Sequence, residues 1–315
     1  TTQRRVRRDP ATFQLPVAKM RDGYYSDAYF TFTRDVLEHD DHRPDVLMQV
    51  FQREHSVLGG IDEALAILKL CSGRRRDDGG WDLGWDHLDV WALHDGDEVE
   101  PWETVLTIRG DYSLFAYLET LYLGVLARRT LVSRNVRDVV AAAGGKPILY
   151  FPARFDHWQV QTGDGWAAHI AGAIGVSTDA QASWWGGKGM GTVPHGLIAA
   201  YGGDTVQAAR RFADRFADQL SVTVLVDFEN DSVRTALEVA DALAASDGAI
   251  AASPVTDTLK RATADGHVAA TVDRHRTKWQ SRWWVFVVLS LIFLFLLAIT
   301  AAGFYLLWWV FAYAF

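Results

Sequence analysis

The sequence predicts an α/β protein built of three parts, and three patterns along the chain support this. Residues 46–109 contain short strand-like runs separated by turn signals, which favours a small α+β subdomain. From residue 112 onward, helical and strand-like segments alternate, which favours a parallel sheet or a barrel. Residues 283–315 carry no charge and favour a C-terminal transmembrane helix.

The N-terminal α+β subdomain is expected over residues 1–111. Ser26 can cap a helix over residues 27–38, and the segment HDDHRP, with its proline, is expected to end that helix. Apolar residues recur at helical spacing over residues 61–71. Strands are predicted at residues 46–52, 88–93 and 105–109.

The second part, residues 112–247, is expected to be the α/β core. Apolar helical spacing runs through residues 114–129, and the helices and strands then alternate. Further helices are predicted at 133–143, 166–173, 204–219 and 232–245, and strands at 146–151, 174–177 and 221–227. The carboxyl ends of such strands are where functional groups collect in parallel folds.

The C-terminal part of the chain, residues 248–315, has a different composition. Residues 248–282 are predicted to be a linker with a basic end next to the membrane. The uncharged run at 283–315 exceeds the roughly 20 residues that a membrane-spanning helix needs, and aromatic residues lie near both of its ends. Basic residues precede the run, so residues 1–282 are expected to form a cytoplasmic domain anchored to the membrane by the C-terminal helix.

Composition excludes several classes of protein. The formal net charge is −8 at pH 7, which argues against nucleic-acid binding through a basic surface. The single cysteine, Cys71, excludes an intrachain disulfide framework and a thiolate zinc site. Cys71 lies in the apolar run IDEALAILKLC, so we expect a core thiol in a reducing compartment.

Four polar residues lie at or just past the ends of predicted strands. Arg154 can bind a carboxylate or phosphate with two hydrogen bonds, and Ser177 and Thr178 can donate to another oxygen. Asp227 could hold a magnesium ion or a sugar hydroxyl. A structural interpretation is open for each, because a strand-end aspartate often caps a helix and Arg154 could pair with Asp156.

The segment GVSTDAQASWWGGKGMGTVPHGLI joins a strand-like run to a glycine-rich loop at residues 186–191. Its glycines let backbone N–H groups approach an anion closely, and Lys188 adds a point charge. The loop leads to His195, which could accept or donate a phosphoryl group.

Five segments, taken in order, resemble the nicotinate phosphoribosyltransferase family over about residues 15–245. They are YYSDAYF (24–30), ILYFPARFDH (148–157), GVSTDAQ (175–181), GTVPH (191–195) and VTVLVDFEND (222–231). The resemblance implies an α/β core of the barrel type. Because only three plausible barrel strands are found, we expect a partial (β/α) barrel.

The resemblance also assigns roles to residues. It implies that Tyr29 stacks on the pyridine ring with support from Asp27. Arg154 would lie at the substrate or pyrophosphate site, and the Gly-x-Ser segment would lie near the nicotinate carboxylate. His195 would be the histidine that ATP phosphorylates, and Asp227 would come from the Leu-Val-Asp strand.

The activity implied is transfer of ribose 5-phosphate from phosphoribosyl pyrophosphate to nicotinate, giving nicotinate mononucleotide in NAD biosynthesis. Mg²⁺ and ATP as co-substrate are implied with it, as is a homodimer. The sequence departs from the family at Phe155, where members often carry a second basic residue, and after about residue 245, where the match ends.

Three alternatives remain open at this point. One is a membrane-tethered, catalytically inactive homologue that acts as a ligand-binding or interaction module. Another is that the apolar tail results from a fusion or a frame error, in which case the native protein is a soluble dimeric enzyme. The nearest enzymatic rival is a decarboxylating quinolinate-type transferase, which has no use for a phosphorylated histidine, so the GTVPH segment argues against it.

Overall fold

The computed structural model describes residues 6–243, 258–262 and 268–273. Contacts divide the chain into two units, Thr1–Gly191 and Thr192–Phe315. In the first unit the helices and strands are, in chain order, α1 (Val17–Arg21), α2 (Ala28–His39), β1 (Asp45–Phe51), β2 (Ser56–Val57), α3 (Ile61–Cys71), β3 (Gly73–Arg75), β4 (Trp81–Leu83), β5 (Asp89–Ala92), β6 (Glu98–Val99), β7 (Thr104–Asp111), α4 (Glu119–Ala142), β8 (Leu149–Tyr150), α5 (Gln161–Ile170), β9 (Gly175–Val176) and α6 (Asp179–Ala182).

A three-stranded antiparallel sheet in the order β1-β7-β5 forms the centre of the N-terminal region. Side chains of β1 alternate between its two faces, so Met48 and Val50 turn inward while Leu47 and Phe51 are exposed. Met48 lies opposite Ile108, which is fully buried. This inward face packs on the core that also contains α3 and the start of α4.

Helix α3 is the most deeply buried helix of this region. Its apolar side chains Ile61, Ile67 and Leu68 are almost completely inaccessible to solvent. Gly60 precedes it with a φ of 88°, in the left-handed region, and a Cβ there would contact Arg129 and Val125 of α4 at 2.9 Å. The close approach of α3 and α4 therefore depends on glycine at this position.

A β-α-β unit follows α4. Strands β8 and β9 pair in parallel with Leu149 opposite Gly175, and α5 connects them. Ala168 of α5, together with Ala171 and Ala173 just after it, packs against the apolar face of the C-terminal half of α4. The chain segments that follow β8 and β9 therefore leave the pair at the same edge.

The second unit contains α7 (His195–Ala200), α8 (Thr205–Phe216), α9 (Ser232–Leu243), β10 (Thr258–Ala262) and β11 (Val268–Asp273). Strands β10 and β11 pair antiparallel. The core of this unit joins α7, α8 and α9 to the buried valines 222, 224 and 226. A parallel bridge links Val193 to Val224.

The predicted fold class ended in a transmembrane helix, and we correct this part of the prediction. Within the residues that the structure describes, no helix is both long and apolar enough to cross a membrane. Helix α4 is long enough at 24 residues, but Arg128, Arg129, Arg134 and Arg137 lie along it, and charged residues are costly in a bilayer core. Residues 283–315 lie outside the described residues. The predicted transmembrane helix, and the membrane anchoring that depended on it, are therefore unsupported.

Other differences concern element bounds. Two helices were expected between residues 114 and 143, but the chain forms 3-10 turns at Tyr112–Leu114 and Ala116–Leu118 and then the single helix α4. Ser26 does not cap α2, because its hydroxyl donates to the carbonyl of Tyr117. The strand predicted at 221–227 is reduced to the bridge at Val224.

Candidate functional site

The clearest polar pair in the second unit joins His195 to Asp227. The parallel bridge between Val193 and Val224 brings the two chain segments together, and the N–H of Val193 donates to the carbonyl of Thr223 at 2.7 Å. Just beyond the bridge, His195 Nε2 lies 2.7 Å from Asp227 Oδ1. The side chains are 49% and 27% exposed, so a ligand can reach the pair from solvent.

This contact fixes the chemistry of the imidazole. A carboxylate can only accept a hydrogen bond, so in the neutral ring Nε2 carries the proton and the lone pair is on Nδ1. Phe228 contacts the ring edge-on, with centroids 5.8 Å apart. His195 is therefore oriented by two neighbours and presents Nδ1 as a base or nucleophile.

Arg154 lies in the turn after β8, at the edge where β9 also ends. Its expected structural partner, Asp156, instead lies 3.6 Å from Nη2 of Arg128. Among the described residues, no carboxylate lies within ion-pair distance of Arg154, whose side chain is exposed. This guanidinium is thus available to an anionic ligand.

The hydroxyls of Ser177 and Thr178 are already hydrogen-bonded within the protein. Gln181 Oε1 accepts from the N–H and the hydroxyl of Ser177, both at 3.0 Å, and from the N–H of Thr178 at 3.2 Å. The hydroxyl of Thr178 donates to Gln161 and accepts from the N–H of Gln181. These bonds form the capping box at the start of α6.

The glycine-rich loop 186–191 also uses many of its donors internally. The N–H of Gly189 donates to Asp179 Oδ1 at 2.8 Å, and that of Met190 donates to the carbonyl of Val176 at 2.7 Å. Lys188 is exposed, with its Nζ 3.8 Å from Asp179 Oδ2. Because these N–H groups are already used, the loop in this form can offer a ligand the charge of Lys188 but few free N–H donors.

Asp27 and Tyr29 meet at the start of α2. The phenol of Tyr29 donates to Asp27 Oδ2 at 3.2 Å, and Thr120 donates to the same oxygen at 2.9 Å. Partial withdrawal from water, and then the hydrogen bond to Asp27, raise the pKa of Tyr29. The ring is nevertheless 59% exposed, so it can stack on a planar ligand.

The predicted site residues fall into separate groups. Asp227 and His195 belong to the second unit, and the other six belong to the first. Within the first unit, Arg154 and the Ser177–Thr178 turn share the edge of the β8–β9 pair. Among the described residues, no cluster of three or more histidine, cysteine, aspartate or glutamate side chains could hold a metal ion.

A buried charge network that the sequence pattern did not reveal lies beside this edge. Asp164 accepts from Arg128 Nη2 and from Arg129 Nη1, each at 2.7 Å, and Glu63 accepts from Arg129 Nε at 3.0 Å. The Asp164 side chain is only 2% exposed. The adjacent arginines in a helical pattern were the only available signal, and they do not identify partners 35 or more residues away.

Comparison with known proteins relates the chain to enzymes of pyridine nucleotide metabolism. Residues 27–130 match the family described as quinolinate phosphoribosyl transferase, N-terminal domain. Over 144 residues the chain is 31% identical to nicotinate phosphoribosyltransferase pncB1 of Mycobacterium tuberculosis, which covers 44% of this chain and 32% of the relative. The pncB2 protein of the same organism is 29% identical over 147 residues, 46% of this chain and 31% of the relative. The chain thus spans about a third of the length of the curated relatives it matches.

Solved structures extend the likeness to the fold. A nicotinate-nucleotide pyrophosphorylase from Pyrococcus furiosus superimposes with a TM-score of 0.63 at 30% identity, over 73% of this chain and 56% of that one. Human nicotinic acid phosphoribosyltransferase, at 16% identity and a TM-score of 0.55 over 72% and 60% of the two chains, shares the fold alone. These likenesses support an α/β fold with a partial barrel-like core. Over a segment, the chain is homologous to the phosphoribosyltransferases of NAD biosynthesis.

Proposed function

We propose that the protein transfers ribose 5-phosphate from phosphoribosyl pyrophosphate to nicotinate. The observation that carries this choice is the His195–Asp227 pair, with its 2.7 Å contact at the end of the parallel bridge. The segment GTVPH, which contains His195, resembles the nicotinate enzymes and argues against the quinolinate-type enzymes. The 31% identity to one of the nicotinate enzymes supports the same choice.

The reaction needs alignment and charge stabilisation more than acid–base chemistry. The pyridine nitrogen attacks C1 of the ribose, a new N–C1 bond forms, and the C1–O bond to pyrophosphate breaks. Arg154 would bind an anionic group of a substrate through its guanidinium. Tyr29 would stack on the pyridine ring, and Asp27 orients its phenol.

Magnesium, ATP and a homodimer belong to the proposal through the resemblance. Mg²⁺ commonly binds one or two carboxylates together with substrate phosphates, and Asp227 is the carboxylate of this set that would hold it. The metal would neutralise charge that develops on pyrophosphate as it leaves. For ATP coupling, His195 would accept a phosphoryl group at Nδ1, because its Nε2 faces Asp227. Ser177, Thr178 and Lys188 would act as secondary substrate contacts.

The test is formation of nicotinate mononucleotide with and without ATP. His195→Ala should abolish the ATP stimulation and leave a residual ATP-independent rate, while Asp227→Asn should weaken both. His42→Ala, which removes an exposed imidazole elsewhere, serves as the control. Retention of ATP stimulation in His195→Ala would refute the role of this residue. Nicotinate binding without any product would favour a catalytically inactive homologue.

A quinolinate-type transferase is the second candidate, because residues 27–130 match the N-terminal domain of that family. Such an enzyme acts on a dicarboxylate and releases carbon dioxide. A parallel assay with quinolinate and phosphoribosyl pyrophosphate distinguishes the two. Carbon dioxide release from quinolinate, with no product from nicotinate, would establish the second function in place of the first.

A further inference from the structure

Arg8 connects the N-terminal segment to two distant parts of the first unit. Its guanidinium donates to the carbonyl of Trp184, and its Cζ lies 3.6 Å from the ring centroid of Trp166. Its backbone N–H donates to Asp62 Oδ2 at 3.0 Å, which ties the same residue to the start of α3. One side chain thus contacts both α5 and the segment that follows α6.

The contacted segment is the base of the glycine-rich loop. Trp184 is buried, with its ring edge-on to Phe13 at 4.8 Å. Trp185 stacks on His169 with centroids 4.4 Å apart and planes 7° apart. Gly186, which opens the loop, follows directly with a φ of 75°. The loop therefore starts from a rigid aromatic base, and Arg8 bonds to that base.

Arg7 gives a natural comparison. It forms an ion pair with Asp62 at 3.0 Å and donates to the carbonyl of Ala92 at 2.8 Å. Both arginines thus fasten the N-terminal segment to α3. Only Arg8 bonds to Trp184 and stacks on Trp166.

We propose that Arg8 is a positioning residue, which holds the base of loop 186–191 in place and thereby sets the position of Lys188. This role rests on the proposed function in one respect, because the transferase reaction supplies the substrate phosphate that Lys188 would contact. The guanidinium is suited to this role, because a planar group can stack on an indole and donate in its own plane at the same time. Glutamine at position 8 would lose both interactions.

A lysine-specific endoproteinase tests the proposal directly. Cleavage after the exposed Lys188 requires local release of the loop, whereas cleavage after Lys69 requires opening of the buried helix α3. Loss of a charged hydrogen bond and a cation–π contact should raise the ratio of cleavage at Lys188 to that at Lys69 about tenfold in Arg8→Gln. Arg7→Gln, which removes only contacts with Asp62 and Ala92, should not raise this ratio.

Global destabilisation raises cleavage at both lysines and so does not imitate the effect. An equal rise in the two variants, or no rise in Arg8→Gln, would overturn the proposal. In active protein, Arg8→Gln should also raise KM for phosphoribosyl pyrophosphate while leaving KM for nicotinate unchanged. If the wild type has no transferase activity, the proposed function fails, and the cleavage ratio still decides the role of Arg8.

Discussion

Asp95 predicts an unusual dependence of stability on pH. Its carboxylate lies after β5, where Oδ1 accepts from the N–H of Ile61 at 2.7 Å and Oδ2 accepts from the indole N–H of Trp166 at 2.8 Å. Withdrawal from water raises the pKa of Asp95 from 3.8 to about 6, and the charge of Asp62 adds to this. The two hydrogen bonds act in the opposite direction but do not restore the ordinary value.

The sign and size of the effect follow from proton linkage. Between the two pKa values the folded state binds more protons at Asp95 than the unfolded state does, so stability rises as the pH falls. The whole difference corresponds to about 3 kcal/mol, of which about 1.4 kcal/mol should develop between about pH 7.5 and about pH 5. His169 acts in the opposite sense, because burial and then the charge of Arg8 lower its pKa.

The experiment is urea unfolding of wild type and Asp95→Asn, followed by tryptophan fluorescence at several pH values. Subtracting the two series cancels the contribution of His169 and isolates that of Asp95. As the pH falls from about 7.5 to about 5, the free energy of unfolding of the wild type should increase by about 1.4 kcal/mol relative to that of the variant. Asp77→Asn, at an exposed carboxyl, is the control and should follow the wild type. Parallel curves for wild type and Asp95→Asn would refute the reasoning.

Two further substitutions test the buried polar groups. Asp164→Asn leaves the guanidiniums of Arg128 and Arg129 without their shared carboxylate and should lower the free energy of unfolding by about 3–5 kcal/mol in the urea experiment. Glu54→Gln, at an exposed ion pair, is the control and should lower it by less than about 1 kcal/mol. Gln181→Ala removes the acceptor of three hydrogen bonds and should cost about 1–3 kcal/mol, and a Tm equal to that of the wild type would contradict the capping role.

Local periodicity predicted many of the elements, because it depends on neighbours in sequence. The helix expected at residues 61–71 is α3, Ile61–Cys71, and the strand expected at 46–52 is β1, Asp45–Phe51. The strand order β1-β7-β5 was beyond such reasoning. It depends on which apolar faces meet across more than 50 residues, as in the pairing of Met48 with Ile108.

The candidate site was predicted residue by residue but not as an arrangement. His195 and Asp227 were each expected to be functional, and their hydrogen bond joins positions 32 residues apart. The pairing of Arg128 with Asp156 was not expected, although it explains why Arg154 keeps an exposed guanidinium. Contacts of this kind depend on packing between elements, which residue spacing alone does not specify.

The turn at Ser177 and Thr178 shows that one motif can support two interpretations. Thr178 and Gln181 form the Thr-x-x-Gln pattern of a capping box, and this local signal was already present in the sequence. A ligand that accepted hydrogen bonds from this turn would have to displace the side chain of Gln181. That residue is 1% exposed, and its Oε1 accepts three hydrogen bonds from Ser177 and Thr178. Displacement would leave the buried side-chain oxygen of Gln181 without these donors, at a cost of about 1–3 kcal/mol. Arg154 has no such competitor among the described residues, so an anion at this edge should depend on the guanidinium far more than on the two hydroxyls.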